Sequence, residues 1–76
     1  MPTTTDATAA MIDILVNAEP VRARAGSLAD VLAQLGYGEA RIATALNGDF
    51  VPERQRAATP IGAGDRIEIV SARQGG

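Results

Sequence analysis

One amphipathic stretch limits what this chain can fold into. Leu28, Val31, Leu32 and Leu35 recur at i, i+3, i+4 and i+7, a single apolar stripe of helical period. Ser27 stands before it with Asp30 three residues on, the pattern of a capping box. Gly36 follows it, suited to the left-handed position that closes a helix. No second stretch of the 76 residues has this period. A lone stripe is either a partner surface or half of a core, and in a chain this short the core reading needs a sheet as the other half.

The flanking segments supply that sheet. Ile12, Ile14 and Val16 fall on one face at period two and Leu15 on the other, which predicts a strand over Ile12–Asn17. Asn17-Ala18-Glu19-Pro20 reads as a turn with Pro20 fixing φ, and Val21–Ala25 as the returning strand. Tyr37–Arg41 is a connection. Ile42–Leu46 predicts a third strand, and Asn47-Gly48 a two-residue hairpin turn with positive φ at both positions. Asp49–Val51 continues as a short strand that Pro52 ends. Glu53–Thr59 is polar and compatible with one helical turn, and Pro60–Gly64 reads as a loop. Arg66–Val70 is the last strand, with Ile67 and Ile69 facing inward. The expectation is an α+β chain: a mixed sheet of four to five strands on one main helix, with the first and last strands side by side in the middle.

Composition narrows the chemistry. There is no Cys and no His, so no disulfide, thiolate nucleophile or Ser-His pair exists, and a zinc site lacks its usual ligands. No closely spaced carboxylates suggest an acid/base couple, so the expectation is that the chain is not itself an enzyme. The net charge is −2 without a basic stripe, which argues against nucleic acid. All seven basic residues are Arg, so the chain offers no lysine for conjugation to its own kind; codon preference for Ala, Gly and Arg is the favoured explanation. Met1–Ala10 is polar and unpatterned, with no signal-peptide layout, and is expected to be a disordered extension. No stretch is long and apolar enough to span a membrane, and a cytoplasmic monomer with no bound cofactor or metal is expected.

The chain ends Ser71-Ala72-Arg73-Gln74-Gly75-Gly76 directly after the last strand. A frayed terminus is one reading. The other is functional: two glycines pass through a slot too narrow for side chains, and Gly76 carries an α-carboxylate. Six extended residues reach roughly 20 Å, enough to enter a partner's site while the body stays outside. Alternation points Leu15, Ala45 and Val70 away from the helix, either as a docking face or as ordinary scattered surface residues. Arg73 either steers the tail or solvates it.

The run Ala45-Leu46-Asn47-Gly48-Asp49-Phe50-Val51-Pro52, then Gly64-Asp65-Arg66-Ile67-Glu68-Ile69-Val70, then Gln74-Gly75-Gly76, resembles the ThiS family. These are sulfur carriers of thiamine biosynthesis with the ubiquitin-like β-grasp fold. The likeness covers Met11 to Gly76. Glu53 intervenes before Arg54 where a basic residue usually follows the Val-Pro, and Arg56 stands near where an aromatic is common.

The resemblance implies a β-grasp domain over 11–70 and a flexible tail over 71–76. It further implies that a ThiF-type enzyme adenylates Gly76 with magnesium-ATP, and that Gly75 and Gln74 form the slender approach. A cysteine desulfurase relay then supplies sulfur to make a thiocarboxylate, which a ThiG-type thiazole synthase consumes. Two alternatives share the fold: a MoaD-like small subunit of molybdopterin synthase, and a ubiquitin-like modifier or interaction module. The Asn-Gly-Asp-Phe-Val-Pro segment and the Gln-Gly-Gly end favour the thiamine branch.

Overall fold

The computed structural model describes residues 11–38 and 41–71. Within them lie strands β1 (Met11–Val16), β2 (Glu19–Arg24) and β3 (Gly26–Ser27), then helix α1 (Leu28–Gln34). β4 (Ile42–Leu46), β5 (Asp49–Val51), a 3₁₀ helix (Glu53–Ala58), β6 (Pro60–Ile61) and β7 (Arg66–Ser71) follow. Five strands form one mixed sheet in the order β2-β1-β7-β4-β5. β1 and β7, the predicted central pair, run parallel, and the other pairs are antiparallel.

Helix α1 starts as the sequence predicts. Ser27 Oγ accepts from the Asp30 N–H at 3.1 Å, and the Ser27 N–H donates to Asp30 Oδ2 at 3.0 Å. Both donors would otherwise lack partners in the first turn. Gly36 takes φ +93°, closing the helix where a side chain would be strained.

The stripe Leu28, Val31 and Leu32 is buried against Ile14 and Val16 of β1, Ala23 of β2, Val51 of β5, Ile61 of β6, and Ile67 and Ile69 of β7. Leu35, Tyr37, Ile12, Val21, Ile42 and Leu46 pack around this core, half-buried. Thr44 is the polar residue buried among the described ones. Its hydroxyl donates to the Val51 carbonyl at 2.9 Å and accepts from Arg56 Nε at 3.2 Å, while Arg56 Nη2 donates to the Ile42 carbonyl at 2.7 Å. Arg56 thereby ties the 3₁₀ helix to β4, and the buried hydroxyl keeps its partners.

Four expectations change. The first turn is two residues long, with Asn17 at φ +51° and Ala18 at φ +70°, so Glu19 and Pro20 belong to β2. A two-residue turn closes on a hydrogen-bonded pair, here Val16 with Glu19, so the next pair, Leu15 with Pro20, lacks backbone bonds. Pro20 therefore costs the edge strand no ladder bond. The predicted loop Pro60–Gly64 contains β6, whose two residues pair with Ser27 and Gly26, too short a run to show a period. Glu53–Ala58 forms a six-residue 3₁₀ helix, longer than a single turn. Ser71, assigned to the tail by sequence, pairs with Ile42 as the last residue of β7.

Candidate functional site

β7 runs through the middle of the sheet and carries the chain toward its C-terminus. Arg73, Gln74, Gly75 and Gly76, the residues assigned to the tail chemistry, lie outside the described residues. The described part of the site is thus the end of β7 and the sheet face opposite α1.

On that face β7 presents Arg66, Glu68 and Val70, because its buried residues are Ile67 and Ile69. Register places Ala45 beside both Glu68 and Phe50, and Ala43 beside Val70. Leu15 sits beside Arg66 on one side and Pro20 on the other. Of the four predicted docking residues, Arg73 lies outside the described residues, and the structure brings two of the other three together: Ala45 and Val70 join Ala43 and Phe50 in one apolar patch. It sets Leu15 apart, across the charged Arg66 and Glu68. Phe50 is 69 % exposed and Val70 64 %, large areas for apolar side chains with no core contact.

The sequence reading missed Phe50 as a face residue. The signal was available: in Asp49-Phe50-Val51 the buried position is Val51, so alternation turns Phe50 outward. The same face carries an exposed ion pair between Arg22 Nε and Asp13 Oδ1 at 3.4 Å, on β2 and β1, at the far side of the sheet from Phe50. Pairs this exposed contribute little to stability.

The amide side chains are placed with equal consistency. Asn47 Nδ2 donates to Asp65 Oδ1 at 3.1 Å and its Oδ1 accepts from the Arg66 N–H at 2.9 Å, holding the start of β7. Asp65 Oδ2 accepts from the Gly62 N–H at 2.8 Å and braces the preceding loop. Asp30, which closes the capping box, has a lowered pKa. The hydrogen bond it accepts from the Ser27 backbone N–H, then one with the Ser27 side chain, holds it below the ordinary aspartate value.

Among the described residues no group of three His, Cys, Asp or Glu side chains is placed to hold a metal ion. No helix there is long and apolar enough to cross a membrane.

The sequence model of the ThiS family matches residues 11–76. Among solved structures, the thiamine biosynthesis protein ThiS from Geobacter metallireducens is similar, with a TM-score of 0.73 at 25% identity. The match covers 86% of this chain and all of the Geobacter chain. No curated protein sequence matches at a significant level. The shared architecture is the ubiquitin-like β-grasp, a mixed five-stranded sheet wrapped on one helix.

Proposed function

The chain belongs to the ThiS family, and from that membership we propose that it is a sulfur carrier of thiamine biosynthesis acting through the α-carboxylate of Gly76. The observation that carries this reading is the extent of the family match, which runs through Gly75 and Gly76.

The chemistry follows from what a carboxylate lacks. With a pKa of about 3.5 it is ionised at neutral pH and a poor electrophile. A ThiF-type enzyme joins it to the α-phosphorus of magnesium-ATP, and pyrophosphate leaves. The acyl-adenylate is a good electrophile: a persulfide of a cysteine desulfurase relay attacks its carbonyl carbon and AMP leaves. A thiol of the relay then cleaves the S–S bond of the resulting acyl disulfide, becoming a disulfide itself and leaving the thiocarboxylate on the carrier. A ThiG-type thiazole synthase then takes the sulfur into the thiazole ring. This chain has no thiol of its own, so its terminus is the place where sulfur can be held. ATP and magnesium belong to the activating partner, and the carrier acts as its protein substrate, a cytoplasmic monomer between encounters.

The geometry supports a division of labour between body and tail. From Ser71 at the end of β7, the five residues Ala72–Gly76 span at most roughly 17 Å, at about 3.3 Å each. That reach lets Gly76 enter a buried site while Phe50, Val70, Ala45 and Ala43 dock outside it. Gly75 and Gln74 form the slender approach, with Arg73 between them and the sheet. Leu15 is left at the margin of the docking face.

Intact mass after incubation with magnesium-ATP, a ThiF-type enzyme and a sulfide source tests the reading. A chain lacking Gly76 is the control. The expected result is a gain equal to one oxygen replaced by sulfur, absent from the control. No gain, with an activating enzyme competent on another carrier, would overturn it. Offering the charged carrier to thiazole synthase and to molybdopterin synthase then tests the acceptor.

A further inference from the structure

The two neighbours of β7 pair with it over different lengths, and one side chain marks the difference. On its β1 side, the parallel ladder pairs Leu15 with Arg66 and Val16 with Ile67. Backbone bonds run from the Leu15 N–H to the Asp65 carbonyl at 3.0 Å and from the Asn17 N–H to the Ile67 carbonyl at 2.9 Å. There β1 ends, because Asn17 and Ala18 turn with positive φ. On the other side β4 continues alongside β7 as far as the Ile42–Ser71 pair.

The Asn17 side chain continues the ladder after the backbone has turned away. Its Oδ1 accepts from the Ile69 N–H at 2.8 Å, and its Nδ2 donates to the Ile69 carbonyl at 3.2 Å. A carboxamide carries the same donor and acceptor as a peptide group, so this fork replaces one further strand residue. The two residues are 52 apart in sequence. β7 is thus held on both sides through Ile69, and Val70 and Ser71 from the β4 side alone among the described residues. Gln34 makes the same fork on Arg24, at 2.8 and 2.9 Å, but on β2 at the far edge of the sheet.

We infer that Asn17 is a positioning residue: its fork on Ile69 fixes the end of β7 from the side where β1 has already turned away, and so governs how Gly76 is offered to the activating enzyme. The inference rests on the sulfur-carrier reading. Docking belongs to the sheet face, whereas the fraction of docked carriers whose tail is correctly aimed belongs to the end of β7. Loss of the fork therefore lowers the rate within the complex more than it weakens the complex.

Three variants test it: Asn17→Gly, which tolerates the positive φ but has no fork; Asn17→Asp, which keeps the acceptor and loses the donor; and Gln34→Ala, which loses the equivalent fork away from the exit. Amide exchange on the free carrier reads the clamp directly. In Asn17→Gly the Ile69 amide should exchange about tenfold faster relative to Val70, whose partner strand is β4. Pyrophosphate release with a ThiF-type enzyme should then show kcat down about tenfold and KM within about twofold, with Asn17→Asp intermediate. Gln34→Ala should leave both constants unchanged even where its melting temperature falls as far. Unchanged Ile69 exchange or unchanged kcat in Asn17→Gly overturns the inference, as does an equal loss of kcat in Gln34→Ala. If the wild-type chain is ignored by an enzyme that accepts another carrier, the sulfur-carrier reading fails. The Ile69 exchange ratio still decides whether Asn17 fixes the end of β7.

Discussion

Phe50 shows how a single position separates stability from recognition. Its side chain is 69 % exposed on the sheet face, opposite Ala45 and away from the core. Replacing it with Ser should change folding stability by no more than about 0.5 kcal/mol, as for other surface positions. The same change removes the largest apolar group of the proposed docking patch, and KM for the activating enzyme should rise roughly tenfold. Steady-state adenylation kinetics check this, and an unchanged KM would remove Phe50 from the interface. Alternation along Asp49-Phe50-Val51 was enough to put Phe50 outside. Which residues become its neighbours was not legible, because cross-strand register depends on turn length and on the order of strands in the sheet.

Two elements carry predictions of their own, the first hairpin and the helix start. The hairpin places Ala18 at φ +70°, where a side chain is crowded against the following carbonyl, whereas the Asn47-Gly48 turn has glycine at the corresponding position. Ala18→Gly should therefore stabilise the fold. Relief of about 1–2 kcal/mol of strain outweighs the roughly 0.4–1 kcal/mol lost to a freer unfolded chain. A lower melting temperature would show that the turn is not strained. At the helix start, Asp30 has its folded pKa depressed by the Ser27 hydrogen bonds. Its contribution to stability is thus present above the ordinary aspartate value of 3.8 and lost as pH falls through the lower folded value. Urea midpoints of the wild type and Asp30→Asn should differ at neutral pH and converge in acid; a constant gap would contradict the linkage. The capping box was readable from Ser27 and Asp30 because its bonds span three residues. The two-residue turn was not, because Pro20 signals a turn locally and is tolerated in β2 only because that strand lies at the edge.

The whole molecule rests on a small core with no disulfide. A domain of this size has a stability of roughly 3–9 kcal/mol. Ile67 sits in the central strand at 1 % exposure, and truncating it to Ala should cost about 2–5 kcal/mol. Thermal unfolding of Ile67→Ala should show a large drop in melting temperature or a chain already partly unfolded; a shift of a few degrees would mean the core relaxes around the gap. The sequence alone determined what local period and composition control: one helix with its caps, the apolar faces of β1, β4 and β7, the Asn47-Gly48 hairpin, and a chain without thiol or imidazole. It also carried the family likeness, through the order of its short motifs. Tertiary structure alone decided the pairing of β3 with β6, the gathering of Phe50, Val70, Ala45 and Ala43 without Leu15, and the fork from Asn17 to Ile69. Each joins residues remote in sequence, and such contacts are set by how strands are ordered and registered around the helix, which no local pattern encodes.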